Sequence, residues 1–136
     1  MAETTTRYAL TRTVALTWEE ADRRIREELA KQGFGVLTEI DVSATLKKKL
    51  DVDLPRYEIL GACAPPMAYR ALQTDPAIGL LLPCNVVVRE AGEEGMTIVE
   101  AIDPVVQMEV TGNAELASLA GEVRARLERA LAGVAG

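Results

Sequence analysis

The sequence contains no histidine among its 136 residues. That absence excludes a Ser-His or Cys-His nucleophile pair, an imidazole general base, and His-ligated zinc or haem. Cysteine is scarce as well: Cys63 and Cys84 are the only two, and no Cys-x-x-Cys spacing occurs. Reduced thiols in a cytoplasmic protein are the default expectation for such usage. Basic charge is short too, with 15 Lys+Arg against 21 Asp+Glu and a formal net charge of -6. Affinity for phosphate backbones and anionic lipid needs a basic excess, so neither nucleic acid nor a membrane surface is an expected partner. The single basic run, Lys47-Lys48-Lys49, suits a solvated helix face.

Long apolar runs are also missing. The longest uncharged stretch, Pro76 to Val88, is interrupted by Gly79 and Pro83 and falls short of the ~20 residues a bilayer span needs. Met1 to Thr6 is polar, without the apolar core of a signal segment. No Gly-, Ser- or Pro-rich linker and no internal repeat divides the chain. The expectation is one domain over residues 1–136, with enough chain to bury a core without disulfide or metal staples.

What is present patterns cleanly. Arg7 to Leu16 alternates, with Tyr8, Leu10, Val14 and Leu16 on one face and Arg12 among them. An arginine there snorkels to an edge, pairs with a carboxylate, or meets a ligand. Thr17 with Glu20 forms a capping-box signal for a helix carrying Trp18, Ala21, Ile25 and Leu29 at helical spacing. Glu19/Arg23, Glu20/Arg24 and Asp22/Arg26 stand four apart on its wet side, and Gly33 closes it. Gly33-Phe34-Gly35 follows a helix and lacks a third glycine, so it is not a dinucleotide fingerprint.

A second strand is expected over Gly35–Val42, with Val36, Ile40 and Val42 on one side and Glu39 and Asp41 on the other. Ser43 is positioned to cap a short helix through Leu50, and Pro55 breaks the chain before a strand over Tyr57–Cys63. Pro65-Pro66 suits the first turn of a helix to about Thr74. Pro76 to Pro83 is expected as an apolar, partly extended connection. Cys84–Glu90 and Met96–Ile102 flank an Ala-Gly-Glu-Glu-Gly hairpin turn. After Asp103-Pro104 and an irregular stretch, Asn113 caps a last helix with Leu116, Leu119, Val123, Leu127 and Leu131 as its apolar stripe. These elements predict an α+β two-layer sandwich. Its curved, largely antiparallel sheet has about five strands and helices on one face, with a β-α-β-β-β-β-α core plus short helices.

The strings Gly33 to Val42, Ile59 to Cys63, Pro65 with Ala68, and Ile78 to Val88 with Glu90 resemble the bacterial and archaeal family called domain of unknown function 302. The resemblance extends over nearly the whole chain. It implies a compact α+β domain, a curved antiparallel sheet covered by helices, and a homodimer. It implies no established enzymatic activity and no agreed catalytic residues. Family members often carry Cys-Asn-Pro where this chain has Cys63-Ala64-Pro65. A function requiring that amide is therefore lost here or served by Asn85. The topology is also similar to the TATA-box-binding fold, but fold does not fix function and this chain is acidic.

Three sets of residues could carry function. Cys63 ends a strand just before a proline-started helix, where backbone N–H groups and the helix dipole would lower a thiol pKa. Cys84 opens a strand that could neighbour it, and Asn85 and Glu39 complete a candidate site. A redox pair or a soft-metal thiolate site would follow; the competing reading makes both cysteines small core hydrophobes. Two thiolates do not complete tetrahedral zinc within one chain, and no cofactor is expected.

Second are the strand carboxylates Glu39, Asp41, Glu90, Glu100 and Asp103. They would serve a carboxylate-based hydrolase if buried on apolar faces. Otherwise they form ion pairs with Arg12, Arg56, Arg70 or Arg89. The third possibility needs no reactive group. Val86-Val87-Val88 places apolar side chains on both faces of one strand, so a second copy of the chain or an apolar small molecule could cover the face the helices leave. The leading expectation is a homodimeric binding or interaction module without assigned catalysis.

Overall fold

Strand alternation decides which side of the sheet meets the helices. The structure, a computed structural model, describes residues 6–135; the polar start from Met1 lies outside them except for Thr6. Five strands, β1 (Ala9–Val14), β2 (Gly35–Asp41), β3 (Tyr57–Cys63), β4 (Cys84–Glu90) and β5 (Thr97–Ile102), form one antiparallel sheet in the order β1-β5-β4-β3-β2. Leu10 and Val14 of β1, Leu60 and Ala62 of β3, Val86 and Val88 of β4, and Val99 and Ala101 of β5 all turn into one core.

Five helices accompany the sheet: α1 (Trp18–Lys31), α2 (Val42–Leu50), α3 (Pro65–Thr74), α4 (Pro104–Met108) and α5 (Ala114–Val134). Helices α1 and α5 pack against each other and against the central strands. Ile25, Leu29, Leu127 and Leu131 are fully buried along this seam, each contributing roughly 1.5–3 kcal/mol by burial. This is the expected α+β layer architecture.

Local chemistry sets the helix ends. The Thr17 hydroxyl accepts from the Glu20 backbone N–H at 3.2 Å, and Asn113 accepts from the N–H groups of Glu115 and Leu116. Gly33, at φ +84°, takes the left-handed turn after α1. Glu20 pairs with Arg24 and Asp22 with Arg26, as spacing suggests. Glu19 instead reaches Arg56, whose guanidinium lies 3.7 Å over the Trp18 ring, and Arg23 pairs with Glu20 and Glu27.

Four expectations change. A bulge between Val36 and Thr38 shifts the phase of β2. Val36 then packs against the core, Glu39 turns to the helix side with its partner Leu60, and Ile40 faces the other way beside Ile59. Asp41, not Ser43, caps α2: its carboxylate accepts from the Ala44 N–H at 2.9 Å and from the Ser43 hydroxyl. Pro76–Leu81 is a 3₁₀ turn capped by Asp75 rather than an extended connection. The stretch after Asp103 is not irregular either, because Asp103 caps α4 through the Val105 N–H.

Gly61 marks a close approach. A Cβ there would collide with the Thr38 hydroxyl and come within 2.8 Å of the Pro83 ring. Neither neighbour has a long side chain that can swing aside. Gly61→Ala is expected to destabilise the protein by about 1–3 kcal/mol, read as a lower midpoint in urea unfolding; an unchanged midpoint would show that the β2–β3–β4 junction has slack.

Candidate functional site

The two cysteines come to the same end of the sheet. Ala62 of β3 stands opposite Cys84 of β4, so Cys63 lies one residue past that pair. Ala62 and Ala64 both turn into the core. Cys63 between them emerges half-buried, whereas Cys84 is only 8% exposed. Both are free thiols. They line a cavity of about 50 Å³ between the sheet end and α3, α4 and α5, together with Phe34, Met67, Met108 and Leu119.

The expected lowering of the Cys63 pKa by the helix start does not occur. Burial pushes Cys63 up, and it pushes Cys84 up to about 11, with the neighbouring Cys63 adding to that rise. The reason is local: Ala64 supplies no side-chain cap to α3, and the apolar lining penalises a thiolate more than the helix terminus stabilises it. A nucleophilic thiolate at neutral pH is therefore scarce at both positions.

Asn85 and Glu39 lie elsewhere. Asn85 follows Cys84 along β4 and so turns to the opposite sheet face, where it is exposed. It lines a groove of about 430 Å³ with Tyr8, Tyr57, Val87, Arg89 and Gln107. The Gln107 amide donates to the Leu81 carbonyl at 2.9 Å, and its oxygen is buried without a hydrogen-bond partner. Glu39 sits on the edge strand β2, bonded to Arg26 of α1. The four candidate residues thus divide among a cavity, a groove and an edge.

The strand carboxylates are engaged. Glu100 accepts from Arg89 at 2.8 Å and from the Thr11 hydroxyl at 3.2 Å. Asp103 pairs with Arg124 at 3.1 Å besides capping α4. Glu90 accepts from the Arg56 backbone N–H at 2.6 Å. Arg12, on the helix side of β1, pairs with Glu128 of α5 at 2.9 Å, and Arg70 pairs with Glu122. These are ion-pair and capping roles rather than an acid–base pair for hydrolysis.

Among the described residues, the carboxylate whose proton affinity is raised is one the sequence pattern did not single out, Glu58. It shares the core face of β3 with Leu60 and Ala62 and is 12% exposed at its side chain. Arg26 gathers Asp22, Glu39 and Glu58 around one guanidinium. Burial, and after it the hydrogen bond and charge of Asp22, raise the Glu58 pKa to about 7 against the opposing pull of Arg26. One of its oxygens is buried without a partner. The alternation of Tyr57–Cys63 held the signal, since it places Glu58 in phase with Leu60.

Comparison with known proteins is consistent with this geometry. The family model described as domain of unknown function DUF302 matches residues 10–134. The crystal structure of an uncharacterized conserved protein DUF302 from Bacillus stearothermophilus superposes with a TM-score of 0.87 at 28% identity, covering 95% of this chain and 99% of that one. No curated protein matches the sequence.

Glu58 yields a pH prediction. Its folded pKa lies above the ordinary 4.5, so the native state holds the extra proton between roughly pH 4.5 and 7. Stability is lost as pH rises through that window. Glu58→Gln is expected to melt roughly 3–6 °C higher than the parent at pH 8, with the gap closing by pH 5. A constant gap in calorimetry across this range would contradict the assignment.

Proposed function

The chain belongs to the DUF302 family, and on that footing we propose that it is a cytoplasmic homodimeric binding module whose self-association edge is β2 with α2. The observation that carries this reading is the distribution of exposed large apolar side chains. Ten are exposed among the described residues, and five of them, Leu37, Ile40, Leu50, Val52 and Leu54, fall in the single excursion from β2 through α2 toward β3. Leu37 is 65% and Ile40 49% exposed.

Two further features support it. Helix α2 buries none of its nine residues, although helices this short are marginal in water unless an apolar face is packed. Strand β2 is an outer strand of the sheet, with an unpaired hydrogen-bonding edge of the kind that templates pairing with another chain. The same excursion carries Lys47, Lys48 and Lys49 beside Asp51 and Asp53, a mixture of signs suited to an isologous contact in which a patch meets itself. Free thiols at Cys63 and Cys84 suit a reducing compartment.

A second reading is favoured by the groove on the opposite sheet face. Its volume of about 430 Å³ falls within the range of small-molecule sites. Val87, Ile102 and two tyrosines offer apolar contact, and Asn85 and Gln107 offer amide groups. It would take a small molecule with an apolar body and a hydrogen-bonding edge.

The edge reading is tested by mass in solution. At ~10 µM, a working range for specific homodimers, light scattering is expected to give twice the 14.7 kDa chain mass. The variant Leu37→Glu/Ile40→Glu is expected to give the single-chain mass with an unchanged circular dichroism spectrum. A parent protein that runs as a monomer at this concentration would overturn the reading.

A further inference from the structure

The sulfur atoms of this protein are not scattered. The described residues include two cysteines and three methionines, Met67, Met96 and Met108. Four of these five, Cys63, Cys84, Met67 and Met108, line the one cavity at the sheet end; Met96 lines a depression at the β4–β5 turn. They arrive from four separate elements, the end of β3, the start of β4, helix α3 and helix α4. Tertiary folding, not sequence proximity, gathers them.

The rest of the lining is hydrocarbon. Alanines, leucines, prolines, Phe34 and Val123 surround the sulfurs, and no carboxylate, amide, hydroxyl or amine side chain joins them. Among the described residues, the cavity included, there is no group of three or more His, Cys, Asp and Glu that could hold a metal ion. Calcium and magnesium require oxygen ligands, and structural zinc takes four ligands from Cys, His, Asp and Glu, of which this cavity supplies two. Thiolate and thioether together select a soft monovalent cation.

Core packing alone accounts for methionine and cysteine in an interior. It does not account for space left at their meeting point. The cavity holds about 50 Å³, several times the ~10–15 Å³ that one water probe occupies. Methionine, the most adaptable filler of gaps, stands on two sides of it without closing it. Cys63 is half-buried, whereas Cys84, Met67 and Met108 are buried.

We propose that Cys84, Met67 and Met108, with Cys63 at the rim, bind one copper(I) ion. Binding is a ligand exchange without electron transfer. The ion enters as Cu⁺, each thiol gives its proton to solvent as its sulfur–copper bond forms, and the thioethers donate lone pairs. Two protons leave per ion, and the site changes from neutral to a net charge of -1. This inference is independent of the β2–α2 edge, because none of the four residues belongs to it.

The test is an anaerobic titration of the full chain with copper(I) supplied as its acetonitrile complex, with bicinchoninate as competitor and a pH indicator counting protons. One copper per chain and two protons per copper are expected. Cys84→Ser and the double variant Met67→Leu/Met108→Leu are each expected to weaken binding at least ~10-fold, and Cys63→Ser to halve the proton count. The methionine variant conserves volume and keeps the test open should Cys84→Ser fail to fold by circular dichroism. Failure to withdraw copper from bicinchoninate would overturn the proposal. So would undiminished affinity in the folded methionine variant, or equal occupancy by zinc.

Discussion

One seam governs this molecule: α1 and α5 packed together over the central strands. Ile25 and Leu29 meet Leu127 and Leu131 there, above Val86, Val88 and Val99, all of them shut off from water. A sheet buried this way spends one face on the helices. What happens on its other face, at its edges and at its ends is then open to function, and the amide-lined groove, the β2 edge and the sulfur cavity each lie at one of those margins.

The margins differ in chemistry because strand alternation sorts them. Along β4, Cys84, Val86 and Val88 serve the helix side, while Asn85, Val87 and Arg89 serve the groove. The sulfur cavity therefore adjoins the core and is lined by hydrocarbon and sulfur, and the groove opposite is mixed in polarity. At the β2 edge the bulge beyond Val36 sends Glu39 to Arg26 and leaves Leu37 and Ile40 outside. The same bulge thus completes a charge cluster on one side and exposes apolar surface on the other.

Much of this was legible in the residues. The bounds of β3 and β4, the Thr17 and Asn113 caps, the proline start of α3 and the carboxylate partner of Arg12 follow from spacing and local chemistry. The bulge in β2 does not, since it depends on the register with β3 rather than on any signal within Gly35–Val42. Asp41 displaced Ser43 as a cap because the strand ended one residue sooner than its apolar pattern suggests. At the candidate site, the meeting of β3 and β4 was foreseeable, but Met67 and Met108 join the cysteines only through the placement of α3 and α4. For Glu58, alternation gives its face, in phase with Leu60, but its ion partner Arg26 comes from α1, a long-range contact outside the strand pattern.

The proposed dimer would complete the exposed β2 edge with a second copy of the chain. Amide hydrogen exchange measured at high and at strongly diluted protein concentration tests it most directly, since it reads the backbone of β2 residue by residue. If the edge self-associates, β2 and α2 amides are protected at high concentration and exchange rapidly on dilution, while β4 and α5 stay protected throughout. Fast exchange of β2 and α2 at every concentration would contradict it.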